Sequence, residues 1–405
     1  HMGALGAGGA GKGFAPERFT QTHDWAIARG AEMVEVGLWH RASWYPRDGE
    51  HHWRQSCDRE VAMVRENVGI CDVSTLGKID IQGPDAGAFL DRVYTNTFST
   101  LKVGKVRYGL MLREDGMVLD DGTAARLAKN HFVMTTTTGA AGPVLSHLEF
   151  CSQCLWPELD VNIISVTEQW SQIAIAGPKS RGLLGELIDD VSDAKFPFMA
   201  CGDVIIGGIA ARLFRISFSG ELAYEIAVPA RYGAALMDEL VTRTEAMGGG
   251  VYGMEAMNVL RIEKGFLTHA EMDGRTTADD LGLAGMMSKK KDFIGKVSSQ
   301  REGLTDPMRE QLVGIKPVGA VKQLLGGALM IDVGATALRL NMQGHVTSVC
   351  YSPTLNGMIG LAFVKGGRGR IGDTIRAVDL LRDVDTLCEI VSPQFYDPSG
   401  EKLRG

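Results

Sequence analysis

Two adjacent carboxylates could act in proton transfer. Asp120 and Asp121 end the alternating stretch 117–119, just beyond a Glu-Asp-Gly turn signal. Neighbouring strand residues point to opposite faces, so one carboxylate can face an interior cleft while the other faces solvent. A carboxylate in a cleft can accept a proton or stabilise a cationic intermediate. A solvated pair beside a turn is the alternative, and the residues alone do not decide between the two.

A third carboxylate, Glu225, lies in an otherwise apolar strand at residues 224–228. Burying a carboxylate without hydrogen-bond donors is costly. We therefore expect Glu225 either to pair with a basic residue, such as Arg215 or Arg261, or to bind a ligand that carries N–H groups. Spacing does not choose between these two roles.

Two other motifs resemble a metal site and a nucleotide site, but each lacks a part that such a site requires. Cys151 and Cys154, with His147 one turn earlier, could form half of a zinc site, but no second pair of similar spacing exists. A glycine-rich stretch at residues 6–13 fits G-x-G-x-x-G and nearly completes a phosphate-binding loop. No strand precedes it, and Gly13 stands where that loop requires Ser or Thr. We expect no bound metal and interpret residues 1–20 as a tag and flexible leader.

Composition excludes several classes of function. The 405 residues contain 42 Lys+Arg and 49 Asp+Glu, a net charge of −7 that does not fit a nucleic-acid-binding protein. No apolar stretch approaches the roughly 20 residues of a membrane-spanning helix. Seven scattered cysteines, an odd number, indicate reduced thiols. We expect a cytoplasmic protein that binds neither nucleic acid nor membrane.

A repeated strand–helix unit positions the acidic residues. The pattern I-x-I-x-G-P occurs at residues 79–84 and again at residues 173–178, and a helix, a hairpin, a strand and a second helix follow each copy. Strands that return by hairpins, with helices packed on them, make an α+β fold rather than a doubly wound parallel sheet. We interpret the repeat as an internal duplication, with chance similarity of two common units as the alternative.

The C-terminal part differs from the rest of the chain in its pattern of predicted secondary structure. From about residue 311, short strands and frequent glycines predict an antiparallel barrel or sandwich. We therefore divide the chain into a region at residues 21–300, with two intertwined α+β units at about 50–160 and 161–300, and a C-terminal β-barrel domain at 301–405.

Five ordered motifs resemble the glycine-cleavage T-protein (aminomethyltransferase) family. They are YGLMLREDGMVLDD at 108–121, FSGELAYEI at 218–226, GMEAMNVLRIEKG at 253–265, DFIGK at 292–296 and YSPTL at 351–355. Within that superfamily, four stretches resemble the C-terminal half of the α subunit of heterotetrameric sarcosine oxidase. They are WYPR at 44–47, CDVSTLGK at 71–78, VYTN at 93–96 and SPQFYDP at 392–398. The resemblance implies a T-protein-like folate-binding fold of two duplicated α+β units plus a C-terminal antiparallel β-barrel.

The resemblance also implies a reaction and a set of site residues. The implied cofactor is tetrahydrofolate, which captures the iminium or formaldehyde from sarcosine oxidation as 5,10-methylenetetrahydrofolate; flavin and NAD are bound only by partner domains or subunits. Asp120 aligns with the family's catalytic carboxylate, and Glu225 with the residue that binds the amino edge of the pterin. The other implied folate contacts are Tyr108, Leu119, Phe218, Tyr224 and Arg261.

Two of these positions leave alternatives open. Arg261 could bind a glutamyl carboxylate of folate, or form a buried ion pair with Glu263 or Glu225. Phe218 stands where the family has Tyr, which removes a hydroxyl donor.

Other functions of the superfamily remain as alternatives. They are a glycine-cleavage-type aminomethyltransferase, a folate-dependent demethylase of another methylated substrate and a non-catalytic folate-holding scaffold. The iron–sulfur-maintenance relatives are a poor fit, because Phe266 stands in place of the cysteine of their signature.

Overall fold

The computed structural model describes residues 18–319 and 323–405. The glycine-rich stretch at residues 6–13 and all but the last three residues of the predicted leader lie outside the described residues.

Helices and strands follow one another as the sequence pattern predicts through most of the chain. The N-terminal segment, which the sequence analysis did not predict, comprises β1 (Arg18–Phe19), α1 (His23–Ala28), β2 (Glu32–Val36) and β3 (Trp39–Trp44). The first unit comprises α2 (Trp53–Glu66), β4 (Gly69–Asp72), β5 (Gly77–Gln82), α3 (Ala86–Val93), β6 (Lys105–Leu112), β7 (Val118–Ala128), β8 (His131–Thr136) and α4 (Ala141–Phe150). The second comprises β9 (Asn162–Ser165), β10 (Trp170–Ala176), α5 (Ser180–Gly185), β11 (Cys201–Ile206), β12 (Ile209–Phe214), β13 (Ala223–Pro229), α6 (Gly233–Ala246), β14 (Gly250–Val251), α7 (Met254–Lys264) and α8 (Glu302–Thr305).

The two units have the same sheet topology, as a duplication predicts. The first sheet has the strand order β6-β7-β8-β5-β9, and the second has the order β11-β12-β13-β10-β4-β14. Strands β5 to β8 therefore correspond, position by position, to β10 to β13.

The units exchange one strand each. Strand β4 precedes β5 in the chain but pairs with β10 of the second sheet, and β9 precedes β10 but pairs with β5 of the first sheet. Gly83 and Gly177 lie at equivalent points, with φ of +138° and +127°. A Cβ at either position would collide with the carbonyl oxygen of a residue just before the exchanged strand, Asp160 or Asn67. Glycine is therefore required at both crossings.

The C-terminal part is a closed antiparallel barrel of order β15-β18-β17-β16-β19-β20. It is built from β15 (Glu310–Pro317), β16 (Leu329–Asp332), β17 (Met342–Ser352), β18 (Gly357–Lys365), β19 (Thr374–Asp379) and β20 (Val384–Val391), and α9 (Glu401–Arg404) follows it. The sequence analysis did not predict β20, because the acidic side chains Asp385 and Glu389 on its outer face and the buried Thr386 interrupt the apolar pattern. The α+β class and the C-terminal barrel are confirmed.

Across the described residues, no helix is long and apolar enough to cross a membrane.

Candidate functional site

The two sheets pack face to face over a small apolar cluster. Val106, Ala125 and Val133 of the first sheet contact Phe214 and Ala227 of the second in this cluster. The buried contact aligns the two sheets, so that the residues further along the same faces also oppose each other.

Beyond this contact the facing side chains become polar. Side chains recur on one face at every second residue of a strand, which places Tyr108, Thr123 and Thr135 on the first sheet's inner face and Glu225 on that of the second. Cross-strand pairing brings Lys78 beside Thr135 on the same face. We call the following residues the intersheet cluster: Lys78, Tyr108, Asp121, Thr123, Thr135, Gln172 and Glu225. The four on strands β6 to β8 remain partly exposed, so solvent reaches this face.

Glu225 is an under-paired buried carboxylate. It is 8% exposed, and its Oε2 accepts a hydrogen bond from the side-chain amide of Gln172. Among the described residues, no side chain or backbone group donates to its Oε1. Burial raises the pKa of Glu225, and the amide of Gln172 and the charge of Lys78 partly offset that rise. Glu225 Oε1 is not one of the solvent-inaccessible side-chain atoms that lack a hydrogen-bond partner among the described residues. Solvent therefore reaches this oxygen, and a ligand that carries N–H groups can replace that solvent.

The cation that acts on Glu225 is neither of the two arginines considered from the sequence. Lys78 is buried, and its ammonium donates to the carbonyl oxygens of Ser74 at 2.7 Å and Leu76 at 3.0 Å. Burial lowers the pKa of Lys78 to about 8. Arg215 instead donates to backbone carbonyls, including that of Arg404 at 2.9 Å.

The two aspartates of β7 project from opposite faces of the first sheet. Asp121 lies in the intersheet cluster, where the Tyr108 hydroxyl donates to its Oδ2 at 2.6 Å. Asp120 pairs with Met111, whose side chain lies in the core of the first unit on the other face. The Thr137 hydroxyl donates to Asp120 Oδ1 at 2.8 Å, and the Thr137 backbone N–H donates to Oδ2 at 3.2 Å.

Burial dominates the electrostatics of this pair. Asp120 is 0% exposed, and desolvation together with the charge of Asp121 raises its pKa to about 7. Desolvation also raises the pKa of Asp121 to about 6, although the hydrogen bond from Tyr108 opposes that change. Both carboxyl groups therefore titrate close to neutrality, in the range suited to general acid–base chemistry.

The other predicted folate contacts do not all reach this face. Tyr224 neighbours Glu225 in the strand and so faces the opposite core, where it is fully buried and accepts a hydrogen bond from Arg181 Nε at 2.9 Å. Leu119 is partly buried against the core of the first unit. Phe218 is 38% exposed and stacks with Phe266, their ring centroids 5.9 Å apart.

Arg261 is fully engaged inside the protein. It forms a buried ion pair with Glu271 at 3.0 Å and donates to Ser348 Oγ of the barrel at 2.7 Å. Neither expected partner is correct, because Glu263 pairs with Arg65 at 2.6 Å and Glu225 with Gln172. Arg261 thus joins α7 to the barrel.

No cysteine or histidine cluster of metal-binding size is found among the described residues. His147 Nε2 lies 3.7 Å from Cys151 Sγ, while Cys154 is exposed in a π-helical turn that continues α4.

Six residues of the site were missed from the sequence: Lys78, Thr123, Thr135, Thr137, Gln172 and His269. Lys78 was quoted only within a motif. Their partners lie far away in the chain, for example 132 residues between Thr137 and His269. Strand alternation from Asp121 could have indicated Thr123, whereas Lys78 and Gln172 reach this face through cross-strand pairing, which the sequence does not show.

Comparison with known proteins agrees with this architecture. The GCVT N-terminal domain matches residues 22–291, and the glycine cleavage T-protein C-terminal barrel domain matches residues 310–397. The sarcosine oxidase subunit alpha of Rhizobium meliloti (strain 1021) is 51% identical over 99% of this chain and 41% of the relative. That of Corynebacterium sp. (strain P-1) is 44% identical over 96% of this chain and 41% of the relative. The chain therefore spans about two fifths of the length of these relatives.

Shorter relatives are matched over most of their length. An aminomethyltransferase of Thermotoga petrophila is 27% identical over 86% of this chain and 90% of the relative. The crystal structure of the glycine cleavage system aminomethyltransferase T from Bartonella henselae superposes with a TM-score of 0.81 at 22% identity, covering 94% of this chain and 98% of that one. The chain therefore belongs to the glycine cleavage T-protein family, of which it carries both the N-terminal domain and the C-terminal barrel domain.

Proposed function

We propose that the chain binds a reduced folate at the intersheet cluster and supports transfer of a one-carbon unit to it. The observation that carries this proposal is Glu225, a buried carboxylate with one amide donor and one open oxygen. The amino edge of a pterin presents adjacent N–H groups, which a carboxylate accepts as a paired, charge-assisted contact. Tyr108, partly exposed on the opposing sheet, provides an aromatic surface for the ring.

Asp121 is the stronger candidate for the base. It shares the inner face of the first sheet with Tyr108, and that face packs against the sheet that carries Glu225, whereas the side chain of Asp120 is turned to the other face. With a pKa of about 6, Asp121 is ionised at neutral pH and can accept the proton that a folate nitrogen loses as the new C–N bond forms. The assignment of Asp120 as the catalytic carboxylate stays a prediction.

The similarity to sarcosine oxidase alpha subunits supports a specific setting for this chemistry. We infer that the one-carbon unit is the iminium or formaldehyde released when a flavin, bound elsewhere in the assembly, oxidises sarcosine in the cytoplasm. The product is then 5,10-methylenetetrahydrofolate. Partner flavin domains or subunits supply the oxidation.

Calorimetric titration of tetrahydrofolate into the full chain tests the binding site. Hydrogen bonds to a charged group contribute about 1.5–3 kcal/mol each, so Glu225→Gln should raise the Kd by roughly tenfold to a hundredfold. Glu239→Gln, at an exposed position of α6, is the matched control and should leave Kd unchanged. Equal affinity of wild type and Glu225→Gln would place the folate elsewhere.

A capture assay with tetrahydrofolate and formaldehyde separates the two aspartates. Asp121→Asn should slow formation of methylenetetrahydrofolate by about a hundredfold or more while Kd stays nearly constant, since positioned general bases contribute about 10²- to 10⁴-fold. A larger loss for Asp120→Asn than for Asp121→Asn would support the assignment of Asp120 instead. A wild-type chain that binds folate without forming product would be a scaffold.

A further inference from the structure

Asp120 is closed off from water although its carboxyl group is able to titrate. Its side chain is fully buried, and Thr137 donates to it through both the backbone N–H and the hydroxyl, while the backbone of Asp121 also stabilises its ionised form. A carboxyl group with no exposed surface exchanges its proton only through a neighbouring group that itself conducts protons.

Thr137 is such a group, because its hydroxyl contacts a second titratable residue. Thr137 Oγ1 lies 2.8 Å from Asp120 Oδ1 and 2.8 Å from His269 Nε2. A hydroxyl carries one hydrogen and two lone pairs, so it can donate to one of these neighbours while it accepts from the other. His269 is an exposed residue, and this contact therefore leads from the buried carboxyl group to the surface.

We propose that Asp120, Thr137 and His269 form a proton-transfer path that connects the Asp120–Asp121 carboxylate pair with solvent during one-carbon capture. In the outward direction, Asp120 passes its proton to Thr137 Oγ1 as the Thr137 proton moves to the neutral Nε2 of His269. The imidazolium then releases a proton to water. One proton leaves the carboxyl group and one enters solvent, and no electrons are transferred.

In this path Asp121 exchanges a proton with the folate, and Asp120 exchanges a proton with solvent. This division of roles rests on the proposed function. When Asp121 accepts a proton from the folate nitrogen, its negative charge disappears and no longer disfavours ionisation of Asp120. Asp120 then loses its own proton outward through Thr137, so the charge of the pair stays constant. When Asp121 returns its proton to the departing group, the path restores the proton of Asp120.

Other groups around the pair do not titrate in the same range. Tyr94 and Tyr108 are the phenols on which the charges of these carboxyl groups act, and burial together with those charges raises the pKa of both far above the ordinary value. The hydroxyl of Tyr94 is buried and has no hydrogen-bond partner among the described residues. His269 contacts this pair through Thr137, and burial lowers its pKa below the ordinary 6.5, so its imidazole is neutral at rest and can accept a proton.

Substitution of His269 tests the path in the full chain. His269→Ala should slow methylenetetrahydrofolate formation by about tenfold to a hundredfold at unchanged tetrahydrofolate Kd, in the range of a lost proton-transfer group. Excess imidazole should restore most of the rate. His51→Ala, at an exposed histidine of a distant loop, should change neither the rate nor its response to imidazole. An unchanged rate in His269→Ala, or a slowed rate without any response to imidazole, would overturn the path.

A second measurement does not depend on activity. In the wild-type chain with ¹³C-labelled aspartate, the Asp120 carboxyl carbon should give one averaged NMR signal throughout its titration, because exchange through Thr137 is fast. Thr137→Val should split it into separate protonated and ionised signals, and Thr137→Ser should restore averaging. A single averaged Asp120 signal in Thr137→Val would overturn the path, even if the chain still captures the one-carbon unit on folate. If the expected NMR signals are seen but the wild-type chain captures no one-carbon unit, the proposed function is refuted instead.

Discussion

Replacing Asp120 with Asn should stabilise the protein in a pH-dependent way. The carboxyl group has no exposed surface, and its pKa rises from an ordinary 3.8 to about 7. A shift of one unit corresponds to about 1.4 kcal/mol, so the penalty for ionising Asp120 in the folded state approaches about 4 kcal/mol. Relaxation of the surrounding structure around the ionised carboxylate reduces this penalty. We therefore expect Asp120→Asn to raise the free energy of unfolding by about 2–4 kcal/mol at high pH.

The direction in which wild-type stability changes with pH follows from comparing the protonation of Asp120 in the folded and unfolded chains. Below about pH 4, Asp120 is protonated in both states and contributes no pH dependence. Between about pH 4 and pH 7 the unfolded chain has lost the proton that the folded chain retains, so wild-type stability falls as pH rises. Above pH 7 both states are ionised and the whole penalty applies. Asp120→Asn removes this titration, and Thr137 can still donate to the amide oxygen.

Urea unfolding of both proteins, followed by tryptophan fluorescence at several values between pH 5 and pH 8, measures the effect. The free energy of unfolding of Asp120→Asn relative to wild type should increase with pH and reach its plateau near pH 8. Asp115→Asn is the control, because Asp115 lies at the exposed hairpin turn and its hydrogen bond from Arg113 lowers its pKa. A difference that stays constant between pH 5 and pH 8 would refute the reasoning that Asp120 is a buried, protonated acid.

Two further predictions concern the framework of the site. Gly177→Ala should destabilise the protein by at least about 2 kcal/mol, since it places a side chain at positive φ against a backbone carbonyl. The control is Gly182→Ala in α5, where an added Cβ would meet no atom within 4 Å; it should stabilise the protein by up to about 1 kcal/mol in the same thermal-unfolding assay. Arg261→Met should lower the free energy of unfolding by about 3–5 kcal/mol because it leaves its buried carboxylate partner unpaired. A wild-type melting temperature for Arg261→Met would show that this ion pair does not hold α7 to the barrel.

Local pattern was sufficient to predict the strands and helices that carry the site. Alternation of apolar residues predicted β6, β7, β10 and β13, and the repeated I-x-I-x-G-P motif indicated two similar units. These features depend on neighbours within a few residues, because side-chain direction in a strand is set by the backbone itself. The exchange of β4 and β9 between the sheets was not predictable in the same way, since both strands pair with partners from the other unit.

The amino-acid sequence alone was therefore enough to predict that these acidic residues lie in β-strands and that the side chains of Asp120 and Asp121 point to opposite faces of the sheet. Folding in three dimensions was needed to establish that Asp121 and Glu225 lie on the inner faces of two packed sheets, that Arg261 binds Glu271, and that Thr137 connects Asp120 with His269. Charge and burial depend on groups that meet through packing, across more than a hundred residues of chain between Thr137 and His269. Strand alternation is a local property, whereas the environment that raises a pKa or leaves a carboxylate oxygen open arises when the two sheets come together.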